Sequence, residues 1–340
     1  VICLLFCCTM FSQSNFENHW NLLLQNDRKE ALDAFSSTEN HQNDIVSLLS
    51  KKLIQVENGI FQVEDNFVDQ LSSYPDYEYY LYAFWNSPFL FNDYLESGFN
   101  KTYSKRAKEL FEKPIKNTTV QEALRYLNGI VARGVNDWDS YYNLQQSIAA
   151  VNTWQFCGVF ENLNQSGLDI VYPPENEPVS QNGFDTNGNG IVNWYTPENT
   201  DLEAYQFFSN HSEYGYGVNY AQTFIESPAY QRVTLRLGNS GKFKLWLNDV
   251  EIYTHNTDVT TDMDAYAIEV NLPKGYNRLL IKNAESNSES YFILRITDPQ
   301  GKTIQNLKYS SDYIAYNKST INDLKPKELE HSIEKFFKQK

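Results

Sequence analysis

One loop of this sequence carries oxygen-bearing residues at the spacing of a calcium site. Residues 185–193 read Asp-Thr-Asn-Gly-Asn-Gly-Ile-Val-Asn, with side-chain oxygens at positions one, three and five and glycine at position six. Calcium prefers such oxygen ligands. The predicted ligands are Asp185, Asn187, Asn189 and Asn193. Thr196 stands at position twelve, where a bidentate acid is expected, so the alternative is a plain Asn-Gly hairpin turn.

Catalytic chemistry finds little support in the residue pattern. Cys157 lies between Phe156 and Gly158 in an apolar stretch, where a small buried side chain is ordinary. The acids Glu161, Asp169 and Glu175 lie close together in the sequence, and a facing pair of carboxylates could hydrolyse a glycosidic bond. The alternative is that they accept backbone N–H bonds within a loop. We predict no catalytic residue in this chain.

A second candidate site is a surface for a sugar or protein ligand. Trp246 alternates with the apolar residues of 243–247, so its side chain faces away from that stripe. An exposed indole stacks well on a sugar. The predicted ligand contacts are Trp246, Asn248 and Tyr253. The alternative is that Trp246 packs beneath the loop 162–190 or against the helical domain.

Composition limits the class of partner. The 340 residues carry a formal net charge of −15, which repels nucleic acid and anionic lipid. Residues 1–14 resemble the apolar core and cleavage region of a secretory signal peptide without its start. That run is too short to span a bilayer, so we predict an exported protein with no transmembrane segment. After cleavage Cys157 would be the remaining cysteine, with no internal disulfide.

The hydrophobic period changes once along the chain. Residues 15–152 show helical spacing, with Asp137 placed to begin a last helix and Gly134 to end the one before it. From Trp154 the period becomes two, with turn signals between short runs. The predicted fold is an irregular helical-repeat domain followed by an antiparallel jelly-roll β-sandwich at 153–309. Residues 310–340 are predicted to be a linker and the start of a further helix.

The second half also resembles a known group of proteins. The residues concerned are Trp154, Gly158, 160–162 (Phe-Glu-Asn), Ser166, Gly167, Asp169, 172–175 (Tyr-Pro-Pro-Glu), Trp194 and 246–248 (Trp-Leu-Asn), with Val159 in place of the usual proline. Together with the helical half, which is similar to tetratricopeptide repeats, they resemble the N-terminal half of large secreted bacterial proteins. Those proteins pair helical repeats with a carbohydrate-binding-like sandwich and often continue into a transglutaminase-like domain.

The resemblance and the residue pattern together predict a non-catalytic binding or scaffolding module of an exported cell-envelope protein. The alternative is the accessory half of a secreted transglutaminase-like or protease-like enzyme. Further domains of the same chain are expected under either interpretation.

Overall fold

The computed structural model describes residues 18–37, 44–60, 66–85, 101–188, 190–198, 202–210 and 216–340. The predicted signal peptide at 1–14 lies outside these residues. The chain forms two compact units that divide between Val120 and Gln121. Across the ranges just given, no helix is both long and apolar enough to cross a membrane.

The first unit is helical. Its helices cover residues 18–24, Arg28–Ser37, Ile45–Glu57, Phe67–Ser72, Tyr77–Ala83 and Lys101–Phe111. The helix Ile45–Glu57 begins where the Asp44 carboxylate accepts the Ser47 N–H at 2.7 Å, which satisfies one of the free donors of the first turn. Ala31, Phe35 and Ile54 pack together between neighbouring helices. Burial of such amphipathic faces stabilises helices that are too short to form alone.

Two further helices, Thr118–Gly134 and Trp138–Ser147, precede the strands. Asp137 caps the second of them by accepting the Ser140 N–H at 3.2 Å, as predicted. From Gln121 onward, these two helices belong to the same compact unit as the strands. Tyr126 and Ile148 share a buried cluster with Met263 and Ile293. The division therefore differs from the border predicted after residue 152, because the hydrophobic period marks a change of secondary structure and not a change of core.

Thirteen short strands follow among the described residues. They are β1 (Gln155–Phe160), β2 (Phe184–Asp185), β3 (Ile191–Val192), β4 (Gln206–Phe207), β5 (Gly217–Ser227), β6 (Gln231–Asn239), β7 (Lys242–Leu247), β8 (Val250–His255), β9 (Tyr266–Leu272), β10 (Gly275–Glu285), β11 (Tyr291–Thr297), β12 (Lys308–Ser310) and β13 (Lys327–Glu328). A six-stranded sheet has the order β1-β5-β10-β7-β8, with β12 also paired to β5. A five-stranded sheet has the order β13-β9-β6-β11-β4. The prediction of helices followed by antiparallel sheets is confirmed.

The two sheets share one apolar core. Leu245 and Leu247 of β7 and Leu235 and Leu237 of β6 belong to the same buried cluster. Trp246 belongs to a different cluster on the other side of the six-stranded sheet. The alternation predicted for β7 is therefore confirmed. The side of the six-stranded sheet that carries Leu245 and Leu247 is its inner face, and the side that carries Trp246 is its outer face.

The end of β10 depends on one buried carboxylate. Glu285 is 1% exposed, and its Oε1 accepts the N–H groups of Ser286, Asn287 and Ser288 at 2.8, 2.7 and 3.1 Å. Its Oε2 accepts the Ser240 hydroxyl at 2.6 Å. Burial raises the pKa of Glu285, but these hydrogen bonds outweigh burial and hold the pKa below its ordinary value of 4.5.

We predict that Glu285→Gln lowers the free energy of unfolding by about 1–2 kcal/mol at neutral pH, because neutral hydrogen bonds are weaker than charge-assisted ones. Since the folded-state pKa is depressed, the contribution of Glu285 is present above pH 4.5 and is lost as the pH falls through the folded-state value. Urea unfolding from pH 7 to pH 3 should show the two proteins converging below pH 4.5. Parallel curves over that range would contradict this assignment.

Residues 308–340 are an integral part of the sandwich and differ from the predicted linker. β12 pairs with β5 of one sheet, and β13 pairs with β9 of the other. Between them the short helix Ile321–Leu324 inserts Leu324, 0% exposed, into the shared core. The predicted final helix forms at Ser332–Lys338. The tail therefore joins the two sheets.

We predict that Leu324→Ala lowers the free energy of unfolding by about 3 kcal/mol, because it leaves a cavity in the shared core. The matched control is Ile321→Ala in the same helix, since Ile321 is 49% exposed; it should change stability by no more than about 0.5 kcal/mol. Urea unfolding measures both. Equal losses for the two variants would show that the tail does not contribute to the core.

Candidate functional site

The outer face of the six-stranded sheet carries a set of buried polar and aromatic side chains. Tyr220 and Gln222 come from β5, Trp246 from β7, and Arg278 and Lys282 from β10. We call these five side chains the covered face, because residues 162–188, the covering loop, lie over them. The loop prediction for 162–190 is confirmed over its described residues. All five side chains are at most 7% exposed.

Arg278 connects three parts of this region. Its guanidinium donates to the Gln222 side-chain oxygen at 2.9 Å and to the Pro174 carbonyl of the covering loop at 2.6 Å. It also donates to the Asp249 carboxylate at 3.2 Å. Asp249 in turn accepts the Tyr316 hydroxyl at 2.6 Å and lies 3.2 Å from the Lys318 ammonium. One buried cation thus holds a loop, a turn and the tail.

Lys282 fixes the other half of the covering loop. Its ammonium donates to the Ile170 carbonyl at 2.6 Å and to the Glu175 carboxylate at 2.8 Å. Glu175 also accepts the Tyr220 hydroxyl at 2.7 Å. Burial lowers the pKa of Lys282, and Glu175 partly restores it. Burial likewise raises the pKa of Tyr220, helped by the negative charge of Glu175, so the Tyr220 hydroxyl stays protonated and donates.

This arrangement directs its donors at the protein itself. Arg278, Lys282 and Gln222 all bond backbone carbonyls of the covering loop, with Gln222 reaching Pro178 at 2.9 Å. Carbonyl oxygens satisfy buried cations without adding further charge. The covered face therefore binds the covering loop of the same chain.

The predicted ligand contacts lie in three different environments. Trp246 is 7% exposed and packs in the cluster beneath the covering loop, which corresponds to the packing alternative. Asn248 is 1% exposed, accepts the Arg278 N–H at 3.0 Å and donates to the Asn277 side chain at 2.8 Å. Tyr253 pairs with Leu245 and packs at the margin of the inner core. These residues do not form one surface, because the irregular β7–β8 register after Leu245 turns Tyr253 to the opposite face from Trp246.

The candidate nucleophile and acids are placed in structural positions. Cys157 is 0% exposed beneath the covering loop, and burial raises the pKa of its thiol. Glu175 is paired with Lys282. The backbone carbonyl of Glu161 accepts the Tyr172 hydroxyl at 2.5 Å. The Lys282 ammonium also feels the charge of Asp169. Glu175 and Asp169 thus act on the buried cation, whereas Glu161 contributes a backbone carbonyl to the loop.

The predicted calcium loop is the turn of the β2–β3 hairpin. Asp185 accepts the Asn187 N–H at 2.9 Å, and both the N–H and the hydroxyl of Thr186 donate to the Gly190 carbonyl. Asn193 lies at the opposite, open end of the hairpin, where its Oδ1 is 2.7 Å from the position that a Cβ on Gly183 would take. Asn189 lies outside the described residues. Calcium binding at this turn stays a prediction.

Arg278, Lys282 and Gln222 were not among the site residues predicted from the sequence. Each is a polar residue next to an apolar one on its strand, and such a residue is ordinarily expected to face solvent. One signal was present in the sequence: the run 276–282 contains two cations and no acid. Cations without neighbouring acids in a strand must find their partners elsewhere in the fold.

Comparisons with known proteins found only weak structural similarity to this chain. No known protein family and no curated protein matches it. Similar solved structures include a β-glucosidase from Kluyveromyces marxianus, with 10% identity, 33% of this chain, 15% of that chain and a TM-score of 0.25. The same enzyme in complex with glucose has 12% identity and a TM-score of 0.24, and the match covers 33% of this chain and 15% of that chain. An α-xylosidase from Xanthomonas citri has 15% identity and a TM-score of 0.23, and the match covers 32% of this chain and 13% of that chain. The chain thus spans about 15% or less of the length of these proteins.

We predict that Lys282→Met lowers the free energy of unfolding by about 3–5 kcal/mol, because Glu175 is left as a buried charge without its cation. Lys282→Met combined with Glu175→Gln should recover most of that loss. The control is Lys308→Met, whose ion pair with Glu226 is 78% exposed on the lysine side and should contribute less than about 1 kcal/mol. Urea unfolding of the wild type, Lys282→Met, Glu175→Gln and the double variant gives the coupling energy. Strictly additive losses would contradict a direct Lys282–Glu175 interaction.

Proposed function

We propose that this chain is a non-catalytic scaffolding module of an exported protein. The observation that carries the proposal is the engagement of the covered face by the covering loop. A glycan-binding sandwich presents aromatic rings and hydrogen-bond donors to solvent, whereas Trp246, Arg278 and Lys282 here contact the chain's own residues. Export rests on the apolar run at residues 1–14 and stays a proposal.

The environment of the acids supports a non-catalytic role. A glycosidase needs one carboxyl group whose pKa is raised so that it can donate a proton. Glu175 instead lies 2.8 Å from a buried ammonium and accepts a tyrosine hydroxyl, so its Oε1 is occupied by donors of the chain itself. Such a carboxylate is suited to holding the loop in place.

Two finer features of the architecture belong to the same proposal. The jelly-roll assignment is supported by the crossing of successive strands between the sheets, from β5 to β6 to β7. The helical-repeat assignment is supported by the packing of Arg28–Ser37 against Ile45–Glu57 as a sequential pair. A scaffold of this kind would bind protein or glycan ligands on surfaces other than the covered face.

The test combines a hydrolysis screen with affinity electrophoresis in gels that contain xylan, mannan, β-glucan or pectin. We expect no reducing-end release by the wild type, and the same mobility for wild type and Trp246→Phe in every gel. The matched variant Glu175→Gln should lower stability and likewise release no reducing ends. Hydrolysis by the wild type that Glu175→Gln abolishes, or retardation that Trp246→Phe removes, would contradict the proposal.

A further inference from the structure

The outer face of the five-stranded sheet carries two arginines directly opposite each other. Arg236 of β6 pairs in register with Arg295 of β11, and Thr234 pairs with Thr297 one step along the same face. Leu235 and Leu237 point into the shared core, so Thr234 and Arg236 point outward. Side chains opposite each other on neighbouring strands lie about 5 Å apart at Cβ. Two like charges at that spacing destabilise the sheet unless anions offset them.

Arg295 has its own anion. Its Nε donates to the Asp264 carboxylate at 3.0 Å, and its terminal nitrogen forms a second, short bond to the other oxygen of Asp264. Arg295 and Asp264 are each 1% exposed. The charge of Glu122 also acts on Arg295. This cation is therefore neutralised within the fold.

Arg236 has no such partner. Its Nε donates to the Thr297 hydroxyl at 3.0 Å. Among the residues that the structure describes, no carboxylate lies within 4.0 Å of its guanidinium. Burial lowers the pKa of Arg236, Asp264 and Asp298 raise it from a distance, and Arg295 lowers it further. The N–H groups on the two terminal nitrogens of Arg236 are therefore available to a ligand.

A second donor lies beside Arg236 on the same face. Thr234 is 0% exposed, and its hydroxyl is buried without a hydrogen-bond partner in the described part of the chain. A buried hydroxyl without a partner costs free energy. Successive same-face positions of a strand are roughly 6.6 Å apart, so an anion bound to Arg236 lies beside Thr234. Because the Thr234 hydroxyl is closed to solvent, the side chains over it must move before the anion contacts both residues.

We propose that Arg236 and Thr234 form a binding site for a small oxyanion, such as phosphate, sulfate or the carboxylate of a larger ligand. The planar guanidinium donates two parallel bonds to such a group, and the Thr234 hydroxyl donates a third. Arg236 is only partly buried, so an anion can reach it from solvent. Occupation would neutralise the unpaired member of the arginine pair.

The chain supplies a matched control on the same strand and face. Arg232 lies four residues before Arg236, but it is paired with the Glu269 carboxylate at 2.6 Å and the Asn271 side chain at 2.9 Å. Arg232→Gln removes one positive charge from the same surface without touching the proposed site. A nonspecific effect of salt on the folded protein would treat Arg232→Gln and Arg236→Gln alike.

The experiment measures thermal unfolding of the full chain in inorganic phosphate, sulfate or acetate, at constant ionic strength set with chloride. Wild type and Arg232→Gln should show a saturable rise in Tm, about 3–6 °C when phosphate reaches roughly ten times its dissociation constant. Arg236→Gln should show no saturable rise, and Thr234→Val a weaker one. A larger effect of acetate than of phosphate would identify a carboxylate as the preferred group.

Stability without added oxyanion separates binding from folding. Arg236→Met should be at least as stable as wild type in chloride, since it removes an unpaired buried charge, and its Tm should not respond to phosphate. An equal response of wild type, Arg232→Gln and Arg236→Gln would overturn the proposal, as would the absence of any saturable response in the wild type.

Discussion

The burial of two cations on one sheet face, Arg278 and Lys282, is the constraint from which the rest of the strand unit follows. A charged side chain that leaves water needs oxygen atoms in its place. The covering loop supplies them through the carbonyls of Ile170 and Pro174 and the carboxylate of Glu175. A long, polar segment with only short 3₁₀ helices and the two-residue strand β2 is thereby fixed over Trp246.

The same requirement explains why the tail belongs to the sandwich. Arg278 leads through Asp249 to Tyr316 and Lys318. Tyr316 packs against Phe224, and the tail then continues to the opposite sheet as β13. Electrostatic contacts thus set the path of the tail across the outer face, and the burial of Leu324 stabilises it in the shared core.

Patterns local in sequence predicted the local structure well. The change of period at Trp154, the cap at Asp137 and the alternation of β7 are short-range signals, and each corresponds to an observed element. Long-range partners were not predictable. Lys282 looks like a solvent-facing residue because nothing nearby in sequence shows that Glu175 will meet it. Lys327 and Glu328 carry no strand signal, and the edge of β9 makes them a strand. The register shift that places Tyr253 on the opposite face from Trp246 was not predictable either, because no local pattern marks it.

The covering loop is held by its backbone carbonyls, by the Glu175 carboxylate and by buried side chains such as Leu168 and Phe184, and the rest of its side chains lie at the surface. Arg278, Lys282 and Gln222 each bond a carbonyl, which every residue possesses. Side chains of the loop that make none of these contacts can face solvent, as Leu163 and Val171 do at 70% and 67% exposure. Loops on a rigid sheet are where binding residues commonly lie. A sheet face that is closed by carbonyl contacts can thus support an outward surface whose chemistry is set independently of the fold, which is the physical property that a scaffold requires.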